Sequence, residues 1–551
     1  MQRSARAPAV NGLVIGALLV AAMVAAPLLS LALSVFAGGS GGTWSHLATT
    51  VLPDYVLSTL MLCATVGIGV AAVGVGAAWL VTRHEFTGRA SFEWLLVLPL
   101  AMPAYVIAYA YTDLLQYVGP VQSGLRRLFG WSRADYWFPD VRSLGGAALM
   151  FTLVLFPYVY LLARTAFLER AGGMIEVGRS LGLTPWRSFV RLSLQLARPA
   201  IAAGVALALM ETLADYGTVS YFGVQTFTTG IYRAWFSLGD RVAAAQLSLA
   251  LLAFVVLVLA LERTSRGRSR YADASLRSRT VQRLPLSGWR AALAVAACAL
   301  PLLLGFVLPA VVLALLASST EILPLQRFAT LARNSVLVAG LTAAASVLVA
   351  LLIAYASRAQ NSLAVRTAHR LAGFGYALPG SVIAVGVLIP VTRLDHLLAD
   401  LLRSWAGIEV GLLFTGGIAA LVYACLVRYL TAALQSVDAG LARITPSMDQ
   451  ASRSLGLGAA QTLARVHLPL LRGSVLTAAL LVFIDVMKEL PATLVMRPFN
   501  FDTLATTAYT LASDERLAEA AMPALAIVAV GLPPMVWLCR RIARTAPGTA
   551  A

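Results

Sequence analysis

Apolar residues fill this chain in runs of about twenty or more, and short polar stretches separate the runs. Roughly 20 apolar residues is the length that an α-helix needs to cross the hydrocarbon core of a bilayer. The pattern therefore predicts an all-α polytopic membrane protein with about twelve membrane-spanning helices. The predicted spans are 12–36, 55–82, 93–117, 143–165, 197–221, 242–262, 291–316, 334–356, 372–393, 411–432, 473–495 and 519–539.

One polar segment between these runs occurs twice. Residues 174–198 align with residues 448–472 without gaps, and both contain the sequence RSLGL. Six spans lie in each half of the chain. Because six is even, the second half enters the membrane in the same direction as the first, which predicts a parallel repeat. We assign the first repeat to 1–262, a basic linker to 263–290 and the second repeat to 291–551.

Composition agrees with a membrane protein. Hydrophobic residues make up 59% of the chain and charged residues 12%, with a mean hydropathy of +0.80, whereas about a quarter of an ordinary soluble domain is charged. The net charge is +17, and most arginines lie in the termini and alternate loops. Basic loops mark the cytoplasmic side of a membrane, so we expect both termini inside, contacts with membrane lipid and no nucleic-acid partner.

One loop departs from this rule. Residues 119–142 carry four arginines on the predicted outer side, among them Arg126 and Arg127. The aromatic residues Trp131, Tyr136 and Trp137 accompany them, and an amphipathic segment at the membrane interface would tolerate such arginines.

The sequence contains no pattern typical of an enzyme. Its single lysine, Lys488, follows Met487, so it cannot belong to a phosphate-binding GK[ST] loop. The five histidines are scattered, and the four cysteines form no CxxC pair that would indicate a zinc site. We expect a transport subunit that binds no cofactor itself, so any ATP would be bound by another chain.

The duplicated polar segment predicts a projecting helical knob. Residues 174–181 can form one short helix and residues 185–198 another, with Gly182 at the break and Gly456 at the matching position of the second copy. Glycine lacks a Cβ and permits the positive φ that such a turn requires. Two copies with the same glycine are more typical of a docking surface than of an ordinary surface loop.

The two copies resemble the cytoplasmic EAA loop of permeases of binding-protein-dependent ABC importers. The pattern is a glutamate, two small residues, a glycine six positions after the glutamate, and an ending of the form hydrophobic-x-Leu-Pro. The matching residues are Glu176, Gly182, Leu192 and Leu194 in the first copy, and Ala451, Gly456, Val466, Leu468 and Pro469 in the second. Gln450 stands at the glutamate position of the second copy, and Gln195 at the proline position of the first.

The resemblance implies a fold like that of type I importer permeases and a set of partners. Each loop would dock into one of two copies of an ABC ATPase subunit, which binds ATP and magnesium. A periplasmic substrate-binding protein would deliver the substrate, and the chain would lie in the bacterial inner membrane. Residues 98–111, 209–223 and 485–493 resemble the fused ferric-iron branch of this family, while fused thiamine and aminophosphonate permeases share the architecture.

Charged residues within two predicted spans are the other candidates for function. Glu211 and Asp215 lie in the fifth span, and Asp485 and Glu489 occupy the equivalent positions 274 residues later. The spacing predicts that each pair shares one helix face. Charges inside a span usually face a water-filled pathway or a partner. We therefore expect either a pathway-lining role or a structural polar cluster, with Lys488 as the counter-charge.

The resulting hypothesis is the permease subunit of an ABC importer, with ferric iron as its substrate. The alternative from another class is a proton-coupled secondary transporter, which can also have twelve spans in two parallel halves. Such a carrier has no need for duplicated glycine-centred loops.

Overall fold

The computed structural model describes residues 7–36, 41–180, 182–266, 283–319, 323–360, 362–375, 378–409 and 411–545. Most of the predicted linker, residues 267–282, lies outside them. The described chain is almost wholly α-helical, which confirms the predicted fold class. Within it, His84–Glu85 (β1) and Leu284–Pro285 (β2) form a two-residue parallel strand pair.

The helices fall into two sets, one before and one after the linker. In the first part they are α1 (Ala7–Phe36), α2 (Gly41–Thr50), α3 (Leu52–Arg83), α4 (Arg89–Leu95), α5 (Ala104–Leu115), α6 (Pro120–Phe129), α7 (Leu144–Ser180), α8 (Pro185–Ser188), α9 (Leu194–Ala214), α10 (Gly217–Tyr221), α11 (Phe227–Tyr232) and α12 (Arg241–Arg266).

In the second part they are α13 (Trp289–Leu302), α14 (Leu308–Ser319), α15 (Leu325–Ala359), α16 (Leu363–Ala372), α17 (Gly380–Ala406), α18 (Ala419–Leu441), α19 (Pro446–Ser454), α20 (Ala459–Thr462), α21 (Leu468–Met487), α22 (Pro491–Met496), α23 (Leu504–Ser513) and α24 (Leu517–Thr545).

The number of spans agrees with the sequence pattern. Among the described residues, eleven helical stretches are long and apolar enough to cross a membrane, and a bent helix pair raises the number to twelve. The bent pair is the predicted third span, whose two parts, Arg89–Ala101 and Ala104–Phe129, meet at 89°. The expected continuous helix over 93–117 was therefore wrong. Pro103, which lacks an N–H donor, directly precedes α5 and ends the preceding helical turn.

The described chain forms two compact units, and each combines segments from both halves of the sequence. One unit contains Met1–Ser45, Ile231–Leu252 and Leu325–Thr506. The other contains His46–Gly230, Ala253–Pro324 and Thr507–Ala551. The repeat boundaries at 262 and 291 follow sequence similarity, whereas these units follow packing.

Small residues allow close helix packing inside each unit. In the first unit, α15, α18 and α21 pack together and α1 lies along α15, α16 and α17. A Cβ on Gly386 of α17 would lie 2.7 Å from the carbonyl oxygen of Pro27. In the second unit, α3, α7 and α9 pack together, and a Cβ on Gly204 would lie 2.7 Å from the Cα of Val159. Such contacts are typical of membrane helix bundles.

Two predicted spans end earlier than the apolar pattern indicated. The helix expected over 197–221 stops with α9 at Ala214, and the helix expected over 473–495 stops with α21 at Met487. A short helix follows each stop, α10 in one repeat and α22 in the other. Pro491 at the start of α22 favours this second break, because proline begins helices more readily than it continues them.

Candidate functional site

The first EAA loop is continuous with a membrane helix. Glu176 lies in the backbone of α7, which runs unbroken from Leu144 to Ser180, so the separate short helix expected over 174–181 was wrong. The side chain of Glu176 lies outside the described part of the chain. Gly182 follows with a φ of +67°. The chain then forms α8 and a π-helical turn, Phe189–Ser193, before α9 starts at the half-buried Leu194.

The second EAA loop has a separate helix. After α18 ends at Leu441, α19 forms over Pro446–Ser454 and presents Gln450 and Ala451 to solvent. Gly456 follows with a φ of +77°, the conformation that the predicted turn requires. A π-helical turn, Leu463–His467, leads into α21, where Leu468 and Pro469 are exposed. These exposed residues form a surface on which a partner can dock.

A polar latch holds the second loop, and sequence reasoning missed it. Asp449 of α19 accepts hydrogen bonds from Arg358 Nε at 3.0 Å and pairs with Arg358 Nη2 at 2.9 Å. Its other oxygen lies 2.8 Å from His467 Nε2. Arg358 also donates to the carbonyls of Leu441 at 3.1 Å and Ile444 at 2.9 Å. We call Arg358, Asp449 and His467 the latch, because they fix α19 to the end of α15.

The first loop has no matching latch. Ile175 and Ser193 occupy the positions equivalent to Asp449 and His467, 274 residues earlier. An isoleucine side chain cannot accept a hydrogen bond from arginine. The two loops therefore share their glycine turn and differ in what holds them.

In the second repeat the buried carboxylate is Glu489, which is 4% exposed. It accepts hydrogen bonds from Arg428 Nη1 at 2.7 Å, from the Tyr429 hydroxyl at 2.5 Å and from the backbone N–H of Ala492 at 2.9 Å. A Cβ on Gly380 would lie 2.6 Å from Arg428 Nη1 and 2.8 Å from Glu489 Oε1. The pair is thus fully enclosed, and glycine is the residue that leaves room for it.

Lys488 has a different partner from Glu489. Its ammonium group lies 3.0 Å from Asp485, and both side chains are partly exposed. The hypothesis that named Lys488 as the counter-charge did not include Arg428, which compensates Glu489 from another helix. Arg428 lies 61 residues before Glu489, so sequence spacing gave no signal for this contact.

The equivalent carboxylate of the first repeat is Asp215. It caps α10: its Oδ1 accepts hydrogen bonds from the N–H groups of Thr218 at 2.8 Å and Val219 at 3.4 Å. Its own carbonyl accepts a hydrogen bond from the Thr228 hydroxyl at 2.8 Å. In the part of the chain that the structure describes, no lysine or arginine forms an ion pair with Asp215, and Glu211 is a nearby like charge.

The expected shared helix face is wrong for both carboxylate pairs. Glu211 and Asp485 lie in the last turns of α9 and α21, whereas Asp215 and Glu489 lie beyond the ends of those helices. The i, i+4 relation requires unbroken helix between the two positions. The breaks at Asp215 and Lys488 therefore separate each pair into one helical and one non-helical carboxylate.

A further pair of equivalent positions carries opposite charges in the two repeats. In the first repeat, Glu93 lies 3.6 Å from Arg164. In the second, His369 Nε2 lies 2.9 Å from Asp438. The repeat registers of the two spans, 276 and 274 residues, place His369 opposite Glu93 and Asp438 opposite Arg164. The acidic and basic partners have thus exchanged helices.

Comparison with known proteins gives the class. Residues 71–266, which include the first EAA loop, match the family described as binding-protein-dependent transport system inner membrane component. The chain is a multi-pass inner membrane permease of the ABC importer class. Among relatives, it is 27% identical over 483 residues to the Fe(3+)-transport system permease protein FbpB 2 of Haemophilus influenzae, covering 87% of this chain and 88% of that protein.

Other relatives cover less of the chain. The molybdenum transport system permease protein ModB of Escherichia coli is 29% identical over 206 residues, 36% of this chain and 87% of that protein. A probable sulfate transport system permease protein cysT of Anthoceros angustus is 27% identical over 166 residues, 29% of this chain and 52% of that protein. The similarity to FbpB 2 thus extends over both repeats, whereas these two relatives match a shorter region.

Proposed function

We propose that this chain forms the whole translocation pathway of an ABC importer for ferric iron. The observation that carries the proposal is the similarity to a ferric-iron permease over 87% of the chain, since both repeats take part in it. A periplasmic binding protein delivers the substrate to the outer side. Two copies of an ATPase subunit, which bind ATP and magnesium, act from the cytoplasm, where both termini also lie.

The EAA loops are the proposed contacts with the ATPase subunits. In the second loop, α19 and the start of α21 present Gln450, Ala451, Leu468 and Pro469 to solvent. In the first, Glu176, Gly182 and Leu194 occupy the matching region. Because each loop is connected directly to a membrane helix, α9 or α21, a movement of the docked ATPase is transmitted to the helix end that carries the carboxylates.

The carboxylates are proposed to act in two ways. Glu211, Asp215, Asp485 and Lys488 are partly exposed and are proposed to line the pathway. Glu489 is enclosed by Arg428 and Tyr429, which supports a role in shaping the pathway wall. An intramembrane carboxylate that reaches water is attractive to a cation, whereas one that is fully compensated is not.

The test is uptake by reconstituted vesicles. The permease is assembled with its ATPase, and the binding protein and radiolabelled ferric iron are supplied on the periplasmic side. We expect uptake that requires both the ATPase and ATP. Parallel vesicles receive thiamine, an aminophosphonate, sulfate or molybdate with the corresponding binding proteins. Uptake of one of these instead of iron would retain the importer class and reject the substrate. Uptake driven by a proton gradient without ATPase would reject the class.

A further inference from the structure

Five tyrosines gather beside Asp215. The ring of Tyr109 meets that of Tyr221 edge-on at 4.7 Å between centroids and lies 5.8 Å from that of Tyr105. The ring of Tyr216 lies 5.7 Å from that of Tyr509. These residues come from α5, α10, α23 and the break after α9, and all belong to one compact unit. We call Tyr105, Tyr109, Tyr216, Tyr221 and Tyr509 the tyrosine cluster.

One hydroxyl of the cluster is buried without a partner. Tyr109 is 1% exposed, and among the described residues its hydroxyl has no hydrogen-bond partner. The ionisable groups that act on it electrostatically include Tyr221, Tyr509 and Asp215. Buried polar groups in native proteins are nearly always satisfied, so an unsatisfied one requires an explanation. A ligand that enters the cluster would supply the missing contact.

The charge of the region is unbalanced in the direction that favours a cation. Asp215 receives backbone N–H groups but no ion pair from the described part of the chain, and Glu211 adds a second negative charge. Arg142 approaches the Tyr221 hydroxyl at 3.4 Å, but it also lies 3.3 Å from Glu515. The equivalent carboxylate, Glu489, has Arg428 at 2.7 Å. Asp215 therefore occupies a position that its repeat counterpart fills with an arginine.

We propose that Asp215 and the tyrosine cluster form a transient binding site for ferric iron on its way through the permease. The proposal rests on the function proposed above and locates the substrate within it. No group of three or more His, Cys, Asp or Glu in the described residues could hold a metal, so a metal site here needs other oxygen donors. Phenolate and carboxylate oxygens are hard donors that suit a small, highly charged cation.

The chemistry is ligand exchange without redox change. Fe(III) replaces the proton of the Tyr109 hydroxyl, so that an iron–phenolate bond forms and one proton passes to water, while Asp215 supplies a carboxylate oxygen. Binding therefore strengthens as the pH rises, because the ligand must be deprotonated. A tetrahedral oxyanion such as sulfate or molybdate would be repelled by Asp215 and Glu211. The site thus distinguishes ferric iron from the substrates named for the shorter relatives.

The test uses the purified full-length chain in detergent, titrated with ferric nitrilotriacetate. Phenolate bound to Fe(III) gives a visible charge-transfer absorption band that carboxylate ligation alone does not give. We expect the band to saturate at one iron per chain, with release of protons. Tyr109→Phe should abolish most of the band and weaken iron binding at least about tenfold. Asp215→Asn should weaken binding to a similar extent and retain a weaker band at high iron.

Tyr111→Phe is the matched control. Tyr111 lies on the same helix, and its hydroxyl donates to the carbonyl of Leu304 at 2.9 Å, so its loss should leave the band unchanged. Tyr109→Phe removes a hydroxyl without a partner and should fold as well as the wild type. If Tyr109→Phe is instead destabilised, its hydroxyl has a protein partner and the proposal is overturned.

Three further outcomes separate this site from the proposed function. If vesicles import iron but the purified chain binds iron without a charge-transfer band, the site is rejected and the function stands. If vesicles import another substrate while the chain gives a Tyr109-dependent band, the function is rejected and the site stands. If molybdate binds the purified chain and Tyr109→Phe weakens that binding, the cation site is overturned.

Discussion

The breaks after α9 and α21 occupy equivalent positions in the two repeats, yet their carboxylates have different surroundings. Glu489 is enclosed by an arginine, a tyrosine and a backbone N–H group. Asp215 receives only backbone N–H groups and has tyrosines nearby. Duplication has kept the backbone break and the acidic residue while the partners changed. The comparison indicates that one carboxylate became part of the wall and the other stayed available to a cation.

The largest effect should follow removal of the arginine. Arg428→Met leaves Glu489 buried and uncompensated, and loss of one partner of a buried ion pair costs about 3–5 kcal/mol. We expect much less folded protein and a clear fall in thermal stability in detergent. The matched control is Arg403→Met, because Arg403 and Glu409 are both mainly exposed and such pairs contribute about 1 kcal/mol or less. Equal stability of the two variants would show that Glu489 is not held by Arg428.

The same contrast can be measured at the coupling loops. Asp449→Asn removes the negative charge of the latch, and a hydrogen bond to a charged group contributes about 1.5–3 kcal/mol. Amides of α19 should then exchange with deuterium at least about tenfold faster, because the helix opens locally. Ser193→Ala, at the position equivalent to His467, is the control and should leave the first loop unchanged. Unaltered exchange over residues 446–454 would mean that the latch does not hold α19.

The sequence predicted the parts of this structure that depend on local pattern. Apolar runs gave the number of spans, and the duplicated glycines gave the positive φ of Gly182 and Gly456, because both signals reside in neighbouring residues. The latch and the Arg428 contact depend on which helices pack together. Arg358 and Asp449 are 91 residues apart, and no periodicity relates them.

The helix breaks were only partly readable from sequence. Pro491 lies two residues after Glu489 and was available as a signal for the end of α21. The break at Asp215 has no proline beside it, and the apolar pattern continues through Tyr216 to Val219. The Asp215 side chain stabilises it by capping α10, which is a competition between side-chain and helical hydrogen bonds. Hydropathy alone does not resolve that competition.

A substitution at Asp215 should separate transport from folding. Asp215→Asn keeps an oxygen that can accept the N–H groups of Thr218 and Val219, so abundance and stability should change by less than about 1 kcal/mol. Iron uptake per folded molecule should fall about tenfold, because the negative charge is lost. Glu489→Gln should show the reverse order, with reduced abundance and near-normal specific uptake. Normal uptake in Asp215→Asn would remove the functional half of the comparison.

The smallest effect concerns the exchanged pairs Glu93–Arg164 and His369–Asp438. The hydrogen bond from His369 to Asp438 raises the pKa of His369 above its ordinary value of 6.5. Its contribution is thus fully present below about pH 6.5 and is lost as the pH rises through the folded-state pKa. Both side chains are about one third exposed, so we expect about 0.5 kcal/mol or less. Neither Glu93 nor Arg164 belongs to a residue type that ordinarily titrates between pH 6 and 8.

The measurement compares melting temperatures across pH 5.5 to 8.5. The difference between the wild type and His369→Gln should be largest at low pH and should shrink as the pH rises, since the wild type alone loses the charged histidine. The difference between the wild type and Glu93→Gln should stay constant over the same range, because arginine keeps its charge. Parallel profiles for the wild type and His369→Gln would show that the second pair does not depend on protonation, and the two repeats would then not differ in this respect.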